Sequence, residues 1–399
     1  MAEPNADYDL VLAGGRVICP SGRIDARLDV AISQGKIARL GDKLSWLGRE
    51  TIDCSDKIVT PGLIDSHAHF HSSSHSSLDT DEAGIWSGAV AVMDGGSSGY
   101  LTFDEFRRRD LEGKITDAGC LIHHNPLGQA TLPEVWNPGR IRFFRERLVE
   151  TIHSNRDRVF GLKDRAVGTF VGCRGIGGVE EAREICAECG IPYVIHLGVD
   201  PADEFPDREL DAFTRDLLGL LAPGDIIAHA CTGKRGGLFR EDGALDRPLR
   251  EAVERGVLLD CCSGATNFSV RAFRLGRERG FLPHLLSTDI TSMSARGPAR
   301  NLGVVMSKFL ALGIDLPTIV AWTTSAPAKA LGMAGRKGSL AIGQGADITV
   351  SELRKGNFRF LDRLGGEIFS GNELLVPRLA FLSGKKYEVR NSGPPTLPE

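Results

Sequence analysis

At 399 residues, 42% hydrophobic and 25% charged, the chain has the composition of a soluble globular protein and is long enough to bury a large core without cross-links. Its formal net charge is −4, with no long run of one sign, so electrostatics gives no reason to expect nucleic acid or an anionic membrane as partner. No apolar run approaches the roughly 18–20 residues of a spanning helix, the polar start is unlike a secretory signal, and nine scattered Cys are no disulfide framework. The expectation is a cytoplasmic protein.

The first 60 or so residues read as β (by alternation and turn signals). Asp9–Ala13 alternates, Gly14-Gly15 turns, Arg16–Cys19 continues, and Leu28–Ile32 and Ile37–Leu40 pair across Gly35-Lys36. Eight short apolar runs follow: Ile58–Asp65, Ala89–Asp94, Cys120–His123, Val159–Lys163, Tyr193–His196, Asp225–His229, Val257–Asp260 and Leu285–Asp289. Amphipathic stretches such as Glu180–Cys189 and Asp207–Leu221 separate several of them, and a last helix is expected around Leu302–Leu312. Eight such units close best as a (β/α)8 TIM barrel. A second β patch, Ala346–Val350 with Leu379–Leu382 and Lys386–Val389, lies at the far end. The simplest topology is a small β-sandwich domain built from both termini (1–60 and 336–392), with the barrel (61–335) inserted between them. Cys186 and Cys189 form a CxxC within a helical pattern closed by Gly190 and read as helix residues; Cys261 and Cys262 end an apolar run and read as core thiols, although one can face the site. The Gly-rich stretch Gly168–Gly178 reads as a flexible loop and lacks the strand–GxGxxG–helix setting of a dinucleotide site.

Most of the strands end in a residue able to bind a metal. In Asp65-Ser66-His67-Ala68-His69 the two imidazoles are two residues apart, and so share one face of an extended chain. The fourth, fifth, sixth and eighth strands end in Lys163, His196, His229 and Asp289. A strand-end His or Asp is by itself ordinary; a barrel, however, gathers all such ends at one mouth. His71 and His75 read as loop residues, and His153 as helix surface. His284 precedes its strand, at the opposite end, and His123-His124 can line the pocket.

With Pro61-Gly62-Leu63-Ile64-Asp65-Ser66-His67-Ala68-His69 and the later ligands in this order, the chain resembles the amidohydrolase superfamily over essentially its whole length. It is similar in particular to the deacetylase and dihydroorotase-like branch, through Asp94-Gly95-Gly96-Ser97, Gly161-Leu162-Lys163-Asp164-Arg165, His196-Leu197-Gly198, His229-Ala230-Cys231-Thr232-Gly233 and Ser287-Thr288-Asp289 with Met306-Ser307-Lys308. The resemblance implies two divalent ions, with His67, His69 and Asp289 on one, His196 and His229 on the other, and Lys163 N6-carboxylated between them. Imidazole and oxygen ligands suit zinc, with manganese, iron and cobalt as alternatives. A hydroxide bridging the ions would attack the acyl carbon, since a bound metal brings the pKa of water to about 7. Asp289 would carry the proton to the leaving atom.

The implied reaction is hydrolysis of an amide or ester, in particular deacetylation of a small carboxylate-bearing molecule. Ring opening of a cyclic amide or lactone is the alternative, and a non-catalytic assembly protein on the same fold is a third reading; the expected partner is a small-molecule substrate, with a homo-oligomer left open. For substrate contacts the expectations are Arg165, either gripping a carboxylate or paired outward, together with Asn267, Phe268, Ser292 and Arg296. After Asp289 the chain has Ile290-Thr291-Ser292-Met293, where that branch usually shows a His.

Overall fold

The computed structural model describes residues 7–74, 76–129, 142–199 and 205–391. It opens with five strands, β1 (Tyr8–Cys19), β2 (Ile24–Ser33), β3 (Lys36–Gly41), β4 (Gly48–Asp53) and β5 (Lys57–Pro61). Seven parallel strands follow, each beside its neighbour in sequence: β6 (Leu63–Ala68), β7 (Ala89–Asp94), β8 (Asp117–His123), β9 (Val159–Arg165), β10 (Tyr193–His196), β11 (Ile226–Ala228) and β12 (Leu258–Asp260). The chain then returns to the first sheet with β13 (Ile348–Leu361), β14 (Ile368–Leu382) and β15 (Lys385–Glu388), giving eight strands from both ends in the order β15-β14-β13-β5-β1-β2-β3, with β4 also on β1. The bulge between Leu12 and Gly15 lets β1 pair in parallel with β4 along its first half and with β5 along its second.

The run expected as one strand, Ile58–Asp65, is two strands serving different sheets. Ile58 and Val59 pair with β1 and with β13, whereas Leu63 and Ile64 pair with β7. The break falls at Gly62, where a β-carbon would lie 2.3 Å from Val90 Cγ2, so only glycine lets the two sheets meet this closely. The stretch 168–178, expected as a loop, is helical, in Gly168–Cys173 and Gly175–Cys189. Burial of Phe170, Val179, Ala182 and Ile185 in the main core outweighs the poor helix propensity of its glycines. The last expected strand does not run as a regular one. Leu285 bridges Asp260 of β12 and Ile290 bridges Ala68 of β6, so the segment touches both edges of the curled sheet. Between the bridges Asp289 takes a left-handed φ of 49°, which interrupts the pleat.

Along the parallel strands, side chains alternate between two cores, as a period of two requires. Leu63, Val92, Ile122, Leu162, Ile195 and Ile227 pack outward against the helices. Ile64, Met93, Leu121, Val194 and Ile226 pack on the other face. Lys163 and His196 follow the second set in phase, so the strands end with their chemically active side chains on the inner face.

One buried cation stands apart. Lys308, in the helix Leu302–Ala311, is fully buried, with its Nζ 3.0 Å from Ser263 Oγ and 3.4 Å from the Asp362 carbonyl. Burial brings its pKa down to about 7 from an ordinary 10.5. Between those values the unfolded chain binds the extra proton. Stability therefore rises with pH across pH 7–10.5, by up to about 1.4 kcal/mol per pH unit. In Lys308→Met this rise is absent, so denaturant midpoints at pH 7 and pH 9.5 should diverge between parent and variant. Parallel pH dependence would refute the buried-ammonium reading.

Candidate active site

The inner face and its carboxyl-end loops bring His67, His69, Lys163, His196, His229 and Asp289 together. His69 Nε2 lies 3.0 Å from Asp289 Oδ1, and His67 Nε2 3.8 Å from the same oxygen. The Lys163 Nζ lies 3.3–3.4 Å from the His67 ring nitrogens. The rings of His196 and His229 are 4.2 Å apart, and those of His67 and His229 5.4 Å. All six side chains are buried. Two glycines make the closeness possible. A β-carbon on Gly95 would lie 2.2 Å from His67 Cδ2, and one on Gly264 would lie 2.3 Å from Asp289 Oδ2. His229 (φ 60°) and Asp289 (φ 49°) both occupy the left-handed region, a strained backbone that aims their side chains inward.

Neighbouring groups fix the donors. His229 Nδ1 donates to the Cys262 carbonyl at 3.0 Å, which leaves Nε2 with its lone pair. His69 Nδ1 meets Ser97 Oγ at 2.8 Å. Asn267 Nδ2 donates to Asp289 Oδ2 at 2.9 Å. Asp65 accepts from the Thr288 hydroxyl at 2.5 Å and the Thr288 N–H at 3.0 Å, binding the segment before Asp289 to β6.

Electrostatics favours lone pairs. Burial holds His67 and His196 well below the ordinary imidazole pKa, helped at His67 by Lys163 and at His196 by His229, and it brings His229 to about 3. Burial also lowers Lys163 to about 8. Burial alone would raise Asp289, but the His69 hydrogen bond and the surrounding imidazoles outweigh it and keep the carboxylate ionised. Neutral imidazoles, one carboxylate and an easily deprotonated amine are a donor set suited to divalent ions. Among the described residues, one ligand atom from each of His67, His229, Cys262 and Asp289 lies within 4.8 Å of the others.

The remaining expected residues divide. Arg165 ends β9 opposite His196, half-buried, and after burial its charge helps to depress both Lys163 and His196. Asn267 is in the site. Phe268 is not: it is 1% exposed and packs on Phe273 and Phe309, because the residue after Asn267 turns to the opposite side. Ser292 and Arg296 line a cavity of about 540 Å3 with Leu78, Glu82, Ile290 and Arg300; Ile290, next to Asp289, points that way rather than with it. His71 binds Asp110 at 3.1 Å, His153 is exposed, and His284 accepts from the Leu259 N–H; His75 lies outside the described residues. His123 abuts Gly96, itself packed on Lys163, while His124 turns to Asp164 at 2.9 Å. Cys186 and Cys189 are buried helix residues. Of the two core thiols, Cys262 is the one that faces the site; the backing carboxylates Asp65, Asp94 and Asp260, which hold Thr288, Ser97 and Ser287, were not foreseen as parts of it. The signal was present: each acid closes an apolar run, as the ligands do.

Parallel strands whose carboxyl ends hold neutral imidazoles and an ionised carboxylate define a hydrolytic centre with the donors for divalent ions. The chain belongs to the amidohydrolase family, whose model matches residues 58–385. It is 26% identical over 367 residues to a deacetylase of Brucella anthropi, covering 90% of this chain and 88% of that one. It is 28% identical over 389 residues to a deacetylase of Enterococcus faecalis, covering 96% and 100%. Among solved structures, a dihydroorotase superposes with a TM-score of 0.84 at 25% identity, covering 95% of this chain and 99% of that one. An adenine deaminase gives the same TM-score at 26% identity, covering 96% and 100%. No described helix is long and apolar enough to cross a membrane.

Proposed function

We propose that the chain hydrolyses an amide or ester bond of a small carboxylate-bearing molecule, removing an acetyl group, with two divalent ions, zinc foremost, at this site. The observation that carries the reading is the gathering of four imidazoles, the Lys163 amine and the ionised Asp289 in one buried cluster. His67, His69 and Asp289 would hold one ion, His196 and His229 the other, and a carboxylated Lys163 both. Such ions supply Lewis acidity and a nucleophilic water at neutral pH.

The chain's own groups do the rest. Asp289, oriented by Asn267, takes a proton from the attacking water and returns it to the leaving nitrogen or oxygen. Arg165 holds the substrate carboxylate beside His196. The same reading makes the curled sheet a (β/α)8 barrel of residues 61–335, closed by 285–290, and folds the terminal sheet about the bulge of β1 into a sandwich of 1–60 and 336–392. Ring opening of a cyclic amide is the second reading, favoured by the dihydroorotase superposition.

Metal analysis with a substrate panel tests the proposal. Protein from metal-supplemented medium should carry about two equivalents of transition metal, and chelation should abolish hydrolysis of N-acetyl amino acids until metal is restored. Fewer than about one equivalent would overturn the two-ion assignment. Turnover of cyclic imides alone would overturn deacetylation.

A further inference from the structure

The terminal sheet reaches the active site through one long hairpin. Of the 14 residues of β13, only Ile348–Glu352 have β5 at their side; from Leu353 to Leu361 the strand pairs with β14 alone. A two-stranded ribbon is marginal by itself. This one is fastened along the helix Leu302–Ala311, where the Leu375 N–H donates to Ser307 Oγ at 2.8 Å and a β-carbon on Gly371 would lie 2.6 Å from Ala311 Cβ. Its tip is fastened too. The buried Asp362 carboxylate accepts the N–H groups of Arg363, Glu367 and Val270, and the Leu364 N–H donates to the Ala265 carbonyl at 2.7 Å. Lys308 ties Ser263 to the Asp362 carbonyl. The tip is thereby joined to the loop 263–270, which supplies Gly264 against Asp289 and Asn267 to it.

That attachment places a cation against the loop that follows β11. Arg363 Nη1 lies 3.9 Å from where a β-carbon on Gly233 would sit, four residues beyond His229. Lys234 follows, its Cβ 3.1 Å from the corresponding position on Gly198, two residues beyond His196. The Arg363 side chain is 37% exposed and touches Asp362 Oδ2 at 3.2 Å, a carboxylate already engaged by three backbone N–H groups. The pair is half-buried, with the carboxylate enclosed and the guanidinium partly open to solvent, and a guanidinium fork is suited to carboxylate recognition.

We propose that the β13–β14 tip is the outer wall of the substrate site and that Arg363, beside Lys234, binds a second carboxylate of the substrate, distal to the scissile bond. The substrate class is then the N-acyl dicarboxylic amino acids, with Arg165 on one carboxylate and Arg363 on the other. The inference rests on the hydrolytic reading above, and it makes Arg363 a specificity-determining residue.

The test compares the metal-loaded enzyme on N-acetylaspartate against N-acetylasparagine, and on N-acetylglutamate against N-acetylglutamine. The parent should favour the diacid of each pair at least tenfold in kcat/KM. Arg363→Gln should erase that preference, chiefly through KM, Arg363→Lys should restore part of it, and Arg354→Gln, on the exposed ribbon, should retain it. A parent without the preference, or an Arg363→Gln variant that keeps it, overturns the assignment. Calorimetric binding of aspartate and glutamate against asparagine and glutamine reads the same contact without turnover. Equal affinities in the parent overturn the proposal even where no N-acetyl compound is hydrolysed. Arg363-dependent diacid binding without hydrolysis supports it and counts against the hydrolytic reading alone.

Discussion

Asp289→Asn yields a folded protein whose turnover falls by about 10^2–10^4-fold, the range for losing a positioned acid–base group. The backbone is the reason that folding survives. Asp289 sits at φ 49°, and Asn is among the few residues that tolerate this region. The exchange is also isosteric, and an Asn side chain can still turn its carbonyl oxygen to the Asn267 donor. What disappears is the basic oxygen facing His69 at 3.0 Å and His67 at 3.8 Å. Because the native carboxylate is held well below the ordinary range, it is ionised throughout the working pH span, and no change of pH recovers the variant's activity. Turnover at several pH values, thermal unfolding and metal content measured on one preparation check this. Activity above about a tenth of the parent's, with full metal content, would refute Asp289 as the proton carrier.

The sequence made the site more legible than its surroundings, for a physical reason. Ligands must end strands on one face, so His67, His69, Lys163, His196 and His229 each close an apolar run that pattern alone reveals. What pattern cannot show is which way a residue after a strand turns. Asn267 and Phe268 are adjacent, yet one meets Asp289 and the other joins the aromatic core around Phe309. Ser292 and Arg296 lie within seven residues of Asp289 but line a different cavity, because the left-handed Asp289 turns the chain so that Ile290 and the residues after it face the other way. The split at Gly62 was hidden for another reason: both of its strands are apolar and extended, and only the packing of Val90 against the glycine separates them. The β13–β14 ribbon was missed because its middle, Arg354 to Arg359, is largely exposed and carries charges where a buried strand would be apolar.

Lys163→Met yields protein that retains less than half the parent's metal and loses at least about 10^2-fold in turnover, the upper end of what losing even a ligand's supporting partner costs. A buried ammonium would repel cations beside His67, and Lys163 is fully buried with its Nζ 3.3–3.4 Å from the His67 ring nitrogens. Burial resolves the conflict by lowering its pKa to about 8, so roughly a tenth of the amine is neutral at pH 7. The neutral amine can add carbon dioxide: nitrogen forms a bond to carbon, one proton leaves, and a carbamate anion replaces the cation. Methionine fills the same space but offers neither amine nor oxygen. Lys163→Ala, by contrast, leaves a void beside the imidazoles in which formate or acetate can stand for the carbamate oxygens. Millimolar short carboxylate should therefore restore part of the metal content and activity to Lys163→Ala and none to Lys163→Met. Full metal loading and turnover in Lys163→Met, measured by elemental analysis and initial rates, would show that His67, His69, His196, His229 and Asp289 suffice and that the lysine has no part in holding the ions.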